Sequence, residues 1–304
     1  MPLDFLIIGN PTSGRRRATA MAQAVLEQLR AAGRSAELKT TSAPGDAKRL
    51  AAEAVQAGVP CVVGCGGDGT LQEIASALAQ TETVMGILPG GRCNDLARAL
   101  GIQRSDALAT LAAMLLNGPV RKIDLGVCVP LTAMPGQERR VFCTVATLGF
   151  DSEVTKFVLS HRFPLKGTAE YLHATVRVLA RFHPPRVRLT GSFGKFEGPI
   201  LLAATGNSSS YGGALQIAPG ALIDDGLLDL CLVRAVSKLT LLRILPKVFK
   251  GRHLSHPAVS LQRTTNVQIE PVDGPLTICA DGEILGQTPA QLEVLPMCLN
   301  VKTK

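Results

Sequence analysis

Tryptophan is absent from this 304-residue chain, and tyrosine occurs only twice. Aromatic residues make up 4% of the sequence. That excludes the aromatic platforms on which single-stranded nucleic acids stack, so no nucleic-acid partner is expected. No window holds the roughly 18 to 20 consecutive apolar residues of a membrane-spanning helix. The first apolar run, Leu3 to Gly9, has no basic leader and reads as a strand rather than a signal peptide. There are eight cysteines but no Cys-x-x-Cys pair, and Cys61, Cys128, Cys143, Cys231 and Cys279 sit inside apolar runs. This pattern excludes a zinc ribbon and a disulfide framework, and implies buried thiols in a reducing cytoplasm. The Gly-Lys-Ser/Thr ending of a Walker phosphate loop is also missing.

The chain is 46% hydrophobic and 18% charged, with a formal net charge of +8. Such a sequence can bury a large core and favours an acidic partner, whether nucleotide or anionic lipid surface. Its central stretch runs from Cys61 to Leu78. A short apolar strand, Cys61 to Val63, breaks into Gly64, Gly66, Gly67 and Gly69; helical spacing then resumes through Leu71, Ile74, Ala75 and Leu78. Strand, glycine turn and helix together aim free amides and a helix dipole at an anion. Asp68 stands inside that turn. A carboxylate beside phosphate needs a cation between them or a proton to handle, so Asp68 points to Mg²⁺-nucleotide chemistry. Gly64 to Gly69 also fits the dinucleotide pattern G-x-G-x-x-G. However, it follows the third strand, and no acidic residue closes the next apolar run, Val84 to Leu88.

Strands are expected at Leu3 to Gly9, Ala36 to Thr41, Cys61 to Val63 and Val84 to Leu88, alternating with helices. Three strand exits carry small polar residues: Asn10-Pro-Thr-Ser-Gly14, Gly66-Gly-Asp-Gly-Thr70 and Pro89-Gly-Gly-Arg-Cys-Asn-Asp95. Asn94-Asp95 also suits a helix N-cap. From Val120 onward short strand-length runs between turn residues dominate. The expected fold is an α/β doubly wound parallel-sheet N-terminal domain over residues 1–124. A mainly antiparallel β-sandwich C-terminal domain follows over residues 125–304, with the site in the interdomain cleft. Two basic stretches show apolar stripes at helical spacing: Leu172, Val176 and Leu179, then Leu239, Leu242, Leu245 and Phe249. Both stripes are expected to pack on their own sheet, with contact in a membrane headgroup layer as the alternative.

Gly66 to Thr70 resembles the GGDGT signature of diacylglycerol, sphingosine, ceramide and NAD kinases. Leu88-Pro-Gly-Gly-Arg-Cys-Asn-Asp-Leu-Ala-Arg98 resembles the L-P-x-G-T-x-N-D-F-A-R loop of the diacylglycerol kinase family, with Arg92 standing where the family has Thr. Asn10 to Gly14, Lys166 to Leu172, Gly206 to Gly213 and Leu222 to Asp229 continue the likeness. The resemblance implies a lipid kinase that moves the γ-phosphate of ATP to a hydroxyl of diacylglycerol or a related lipid. The rivals are an NAD kinase-like small-molecule kinase and a non-catalytic nucleotide-binding regulator. ATP would lie against Asn10, Thr41, Gly66, Gly67, Asp68, Gly69, Thr70, Glu73, Arg92 and Asn94. Asp68 and Asp95 would help hold Mg²⁺, and Lys166 would reach phosphate. Glu283, in the Asp281-Gly-Glu turn, would be the general base, with Asp281 as the alternative. A structural Mg²⁺ would sit on Asp225 and the backbone oxygens of Leu222 and Leu227. The resemblance further implies a cytoplasmic protein that visits the membrane transiently to meet its lipid, and it admits a homodimer.

Overall fold

The computed structural model describes residues 2–132, 138–161 and 168–304. The chain forms two units. The first contains Met1–Leu125, Ile223–Asp225 and Leu295–Lys304; the second contains Gly126–Leu222 and Gly226–Val294.

The four strands expected at the start become parallel strands of the first unit: β1 (Phe5–Gly9), β2 (Ala36–Thr40), β3 (Cys61–Gly66) and β4 (Val84–Pro89). Their order is β4-β3-β1-β2. Ile7, Ile8, Val62 and Val63 are fully buried, as side chains covered on both faces must be. Helices α1 (Arg17–Ala31), α2 (Asp46–Gln56), α3 (Asp68–Leu78), α4 (Asp95–Ala99) and α5 (Leu108–Asn117) connect or follow the strands. Ala18, Ala22, Val25, Leu26 and Leu29 form the buried stripe of α1; Leu71, Ile74, Ala75 and Leu78 form that of α3. The register decides where function can sit. Gly9 pairs with both Thr40 and Cys65, and Gly66 pairs with Pro89. The strands therefore end at one level, which brings Asn10, Thr41, Gly67 and Gly90 to the same edge. The chain order reverses between β1 and β3, which makes the crevice at their C-terminal ends the expected ligand position.

The second unit is built from antiparallel pairs. After β5 (Val120–Pro130), its elements are β6 (Arg140–Phe142), β7 (Val145–Gly149), α6 (Phe150–Ser160), α7 (Thr168–Arg181), β8 (Arg186–Gly191), β9 (Gly194–Gly206), β10 (Leu228–Arg234), α8 (Lys238–Val248), β11 (Val259–Thr264), β12 (Asn266–Pro271), β13 (Thr277–Ala280) and β14 (Glu283–Gln287). The long β9 pairs with β8 through Gly194 to Pro199, then with β7 through Leu202 to Gly206. One core includes Phe142, Val187, Leu189, Ile200, Leu230 and Ile269. The other packs α6, α7 and α8 onto Ala204, Cys231 and Val233.

Two segments beyond residue 125, Ile223–Asp225 and Leu295–Lys304, group with the first unit. Buried Asp124 holds both segments: its N–H donates to the Ile223 carbonyl (2.8 Å), and its carboxylate accepts from the Met297 N–H (2.7 Å). The last strand, β15 (Ala290–Lys302), runs through Pro296, with Met297 at a left-handed φ of 50°. Val301 then pairs with Met85. Of the two amphipathic stripes, Leu179 does pack against a core of the second unit, but most of the rest needs correction. Leu172, Val176, Leu239, Leu242 and Phe249 are exposed. The inward face of α8 is instead Leu241, Ile244 and Val248, one residue out of phase with the expected stripe.

Candidate active site

Three strand exits of the first unit meet backbone to backbone. The Asn10 side-chain amide donates to Thr70 Oγ1 (3.0 Å), and its Oδ1 accepts from the Thr12 N–H (3.0 Å). The Gly67 N–H donates to Ser13 Oγ (3.2 Å). A Cβ on Gly91 would lie 2.4 Å from the Gly67 Cα, and one on Gly14 would lie 2.1 Å from the Gly90 carbonyl oxygen. The glycines therefore have a geometric cause: only bare backbone allows these loops to touch.

Asp68 opens α3 and ties the corner together. Its carboxylate accepts the N–H groups of Asn94 (3.0 Å) and Asp95 (2.6 Å), the first amides of α4. Asn94 occupies the N-cap position with a left-handed φ of 51°, yet its side chain does not cap. It exchanges two hydrogen bonds with the Gly91 backbone instead (2.8 and 3.0 Å), locking the loop. Asp95 is buried and paired with Arg98 (2.7 Å). Burial pushes the Asp68 carboxyl above its ordinary range, with the Asp95 and Asn94 amides pulling the other way. Metal-ligating atoms of Asp68, Cys93 and Asp95 lie within 4.8 Å of one another. The two carboxylates suit a hard cation such as Mg²⁺. Burial, followed by the adjacent Asp95 and Asp68 charges, pushes the Cys93 thiol up to about 11; a soft sulfur ligand suits Mg²⁺ poorly in any case.

Not every expected nucleotide residue is so placed. Thr41 follows β2 with its N–H on the Gly9 carbonyl (3.0 Å), and Arg92 is exposed. The Glu73 carboxylate is taken up by the Gly45, Ala47 and Lys48 amides (2.9, 3.0 and 3.3 Å) at the start of α2. Ser13 and Arg98 were not singled out from sequence. Both lie in quoted motifs, but their partners are set by contacts between loops.

In the second unit, the Asp281 carboxylate accepts from Cys143 N (2.6 Å), Thr144 N (3.1 Å) and Thr144 Oγ1 (2.5 Å). Glu283, two residues on, is exposed at the start of β14. Burial raises the Asp151 carboxyl, while hydrogen bonds from Thr147 and Tyr211 lower it. Leu222, Asp225 and Leu227 lie in the loop before β10, which turns at Gly226 with φ 72°. Lys166 lies outside the described residues.

Residues 4–128 match the diacylglycerol kinase catalytic domain, and residues 144–303 match the YegS C-terminal NAD kinase beta sandwich-like domain. A diacylglycerol kinase of Mycobacterium tuberculosis (strain CDC 1551 / Oshkosh) is 33% identical over 293 residues, spanning 96% of this chain and 92% of that protein. This chain belongs to the diacylglycerol kinase family. A diacylglycerol kinase of Bacillus subtilis (strain 168) is 30% identical over 287 residues, covering 94% and 91% of the two chains. The crystal structure of a putative diacylglycerol kinase from Bacillus anthracis str. Sterne shares the fold, with a TM-score of 0.77 at 22% identity over 99% of this chain and 97% of that one. Yeast NADH kinase complexed with NADH is a more distant likeness of fold alone: TM-score 0.52 at 9% identity, covering 100% and 84%. The diacylglycerol kinase family accounts for the two-unit architecture: a parallel α/β unit, then a β-sandwich-like one. Among the described residues, no helix is long and apolar enough to cross a membrane.

Proposed function

We propose that this member of a lipid kinase family transfers the γ-phosphoryl group of ATP to a hydroxyl of diacylglycerol or a related lipid. The observation that carries the reading is the corner where Asn10 meets Thr70, Ser13 meets Gly67, and Asp68 meets Asn94 and Asp95. It presents glycine backbone and the start of α3 where a polyphosphate would lie, with two carboxylates beside it. Arg92 supplies an exposed guanidinium for phosphate in place of the family's threonine. Mg²⁺, held by Asp68 and Asp95 when bound, would neutralise phosphate charge. A second Mg²⁺ on Asp225, Leu222 and Leu227 would be structural, and Lys166 would contact phosphate.

The base is assigned to Glu283. The Asp281 carboxylate accepts three hydrogen bonds from one segment and is the framework of its turn; Glu283 sits exposed beside it, able to take the proton of an attacking hydroxyl. The lipid would be met at a membrane surface, approached through the exposed apolar residues of α7 and α8.

The test is phosphate transfer from labelled ATP to a panel of lipids, with NAD included. Diacylglycerol or a relative should be labelled and NAD should not. Glu283→Gln should keep ATP affinity within a few-fold and lower the rate by about 10²-fold or more, the usual loss for a general base. Labelling of NAD alone would overturn the assignment.

A further inference from the structure

A cavity of about 870 Å³ lies in the second unit and shares no residue with the nucleotide corner of the first. Two helices line it: Glu153 and Phe157 of α6, with His161 just past its end, and His173, Arg177 and Arg181 of α7. The α7 residues repeat at i, i+4 and i+8, so that helix turns one continuous face to the cavity. His183 joins the wall just beyond α7, while Val178, Phe182 and Leu276 add apolar surface. The wall is cationic. Its single carboxylate, Glu153, is 3.6 Å from Lys156 Nζ, whereas neither Arg177 nor Arg181 forms an ion pair among the described residues. The Lys238 ammonium adds charge at the rim, donating to the lining Ala180 carbonyl (2.8 Å). The far end is fixed by an edge-to-face contact of Phe182 with Phe150 (5.3 Å), and the His161 ring is stacked on Phe157 (4.1 Å).

Two arginines on a surface helix are ordinarily just solvated. Here they stand on a concave wall with a third helical turn of imidazole, and concave walls with an excess of one charge concentrate counter-ions. We infer that this cavity is a second anion site, separate from the nucleotide corner, that takes a phosphate monoester. Two guanidinium forks one turn apart match the several oxygens of a phosphoryl group, which a single carboxylate would leave half-engaged. The volume exceeds a bare phosphate and lies in the range of ordinary small-molecule pockets. The apolar residues give the remainder of an organic phosphate a surface to cover. The phosphate can be borne by a lipid or by a small soluble molecule.

The experiment is calorimetric titration of the full chain, without nucleotide or vesicles. The probes are dihexanoyl phosphatidate below its micelle concentration, glycerol 3-phosphate and inorganic phosphate. At least one should bind saturably, and Arg177→Ala/Arg181→Ala should weaken it about tenfold or more. Arg177→Lys/Arg181→Lys keeps the charge without the fork and should fall between, while unchanged melting of both variants shows that they fold. Asp68→Asn should bind the same ligand as the parent chain. Preference for phosphatidate assigns a lipid headgroup, and preference for the smaller ions assigns a free phosphate. The inference is overturned if no probe saturates, if binding ignores the double substitution, or if Asp68→Asn abolishes it. Turnover is not needed, so failure here leaves the lipid kinase reading standing.

Discussion

Asp68 does two kinds of work. From sequence it reads as a loop carboxylate whose removal would cost chemistry and nothing else. Its two hydrogen bonds to the Asn94 and Asp95 amides make it also the support for α4. Asp68→Ala leaves two amides unpaired in a half-buried corner. Removing one side of such bonds costs about 1–3 kcal/mol, so the variant should lose turnover and shift its urea midpoint downward. An unshifted midpoint would show that α4 does not depend on this carboxylate. His253 gives a pH signature in the second unit. It is fully buried, with Nε2 on the Ile217 carbonyl (3.1 Å) and no partner for Nδ1 among the described residues. Burial lowers its folded pKa below the ordinary 6.5, with the bond to Ile217 opposing. The unfolded chain therefore takes the proton first. The stabilisation is complete above about pH 6.5 and is lost as pH falls toward the folded value. His253→Gln should flatten the fall in melting temperature below that pH; an identical slope in the variant would remove His253 as its source.

At the scale of elements, the glycine corner is a close contact of two loops. A methyl group on Gly91 would stand 2.4 Å from the Gly67 Cα and 2.9 Å from Asn94 Oδ1. Backbone cannot yield as a side chain can, so Gly91→Ala should cost about 1–3 kcal/mol and weaken ATP binding. Gly286→Ala is the control, since its Cβ would meet nothing within 4 Å. Equal melting temperatures for the two variants would refute the close-contact argument. The same corner shows what a sequence can and cannot disclose. Apolar runs of similar length at β1, β3 and β4, each ending in glycine or proline, announce parallel strands and their exits. They do not disclose register, and register alone brings Ser13 to Gly67, Asp68 to Asn94 and Glu73 to α2. Those partners lie 54, 26 and up to 28 positions apart. The closing strand was hidden for a different reason. Pro296 reads as a terminator, but the strand runs on through the left-handed Met297. Lys302 Nζ reaches the Gly118 carbonyl (2.7 Å) and Thr303 N reaches that of Pro119 (3.0 Å). The α8 stripe was misplaced by a single residue, and in a helix that turns the face by about 100°.

For the whole molecule, the question is how a chain without a spanning helix among its described residues would reach a lipid. α8 holds its inward face with Leu241, Ile244 and Val248, leaving Leu239 69% and Leu242 52% exposed. On α7, Leu172 and Val176 are 64% and 60% exposed. The Lys238 bond to the Ala180 carbonyl joins the start of α8 to the end of α7. Around these apolar residues stand Arg243 and Lys247, and α8 contains no acidic residue. An apolar ridge flanked by cations suits the headgroup layer of an anionic bilayer, and the net charge of +8 favours approach. Sedimentation with anionic vesicles should therefore fall as salt rises and the screening length shortens from about 10 Å at 0.1 M to about 3 Å at 1 M. Leu239→Ser/Leu242→Ser should weaken vesicle binding by about tenfold or more, because a leucine moved fully from water contributes roughly 1.5–3 kcal/mol. The exposed leucines carry little of the core, so the melting temperature should hold and labelling of a lipid dispersed in neutral detergent should continue. Undiminished vesicle binding by this double variant would place the membrane contact on another face.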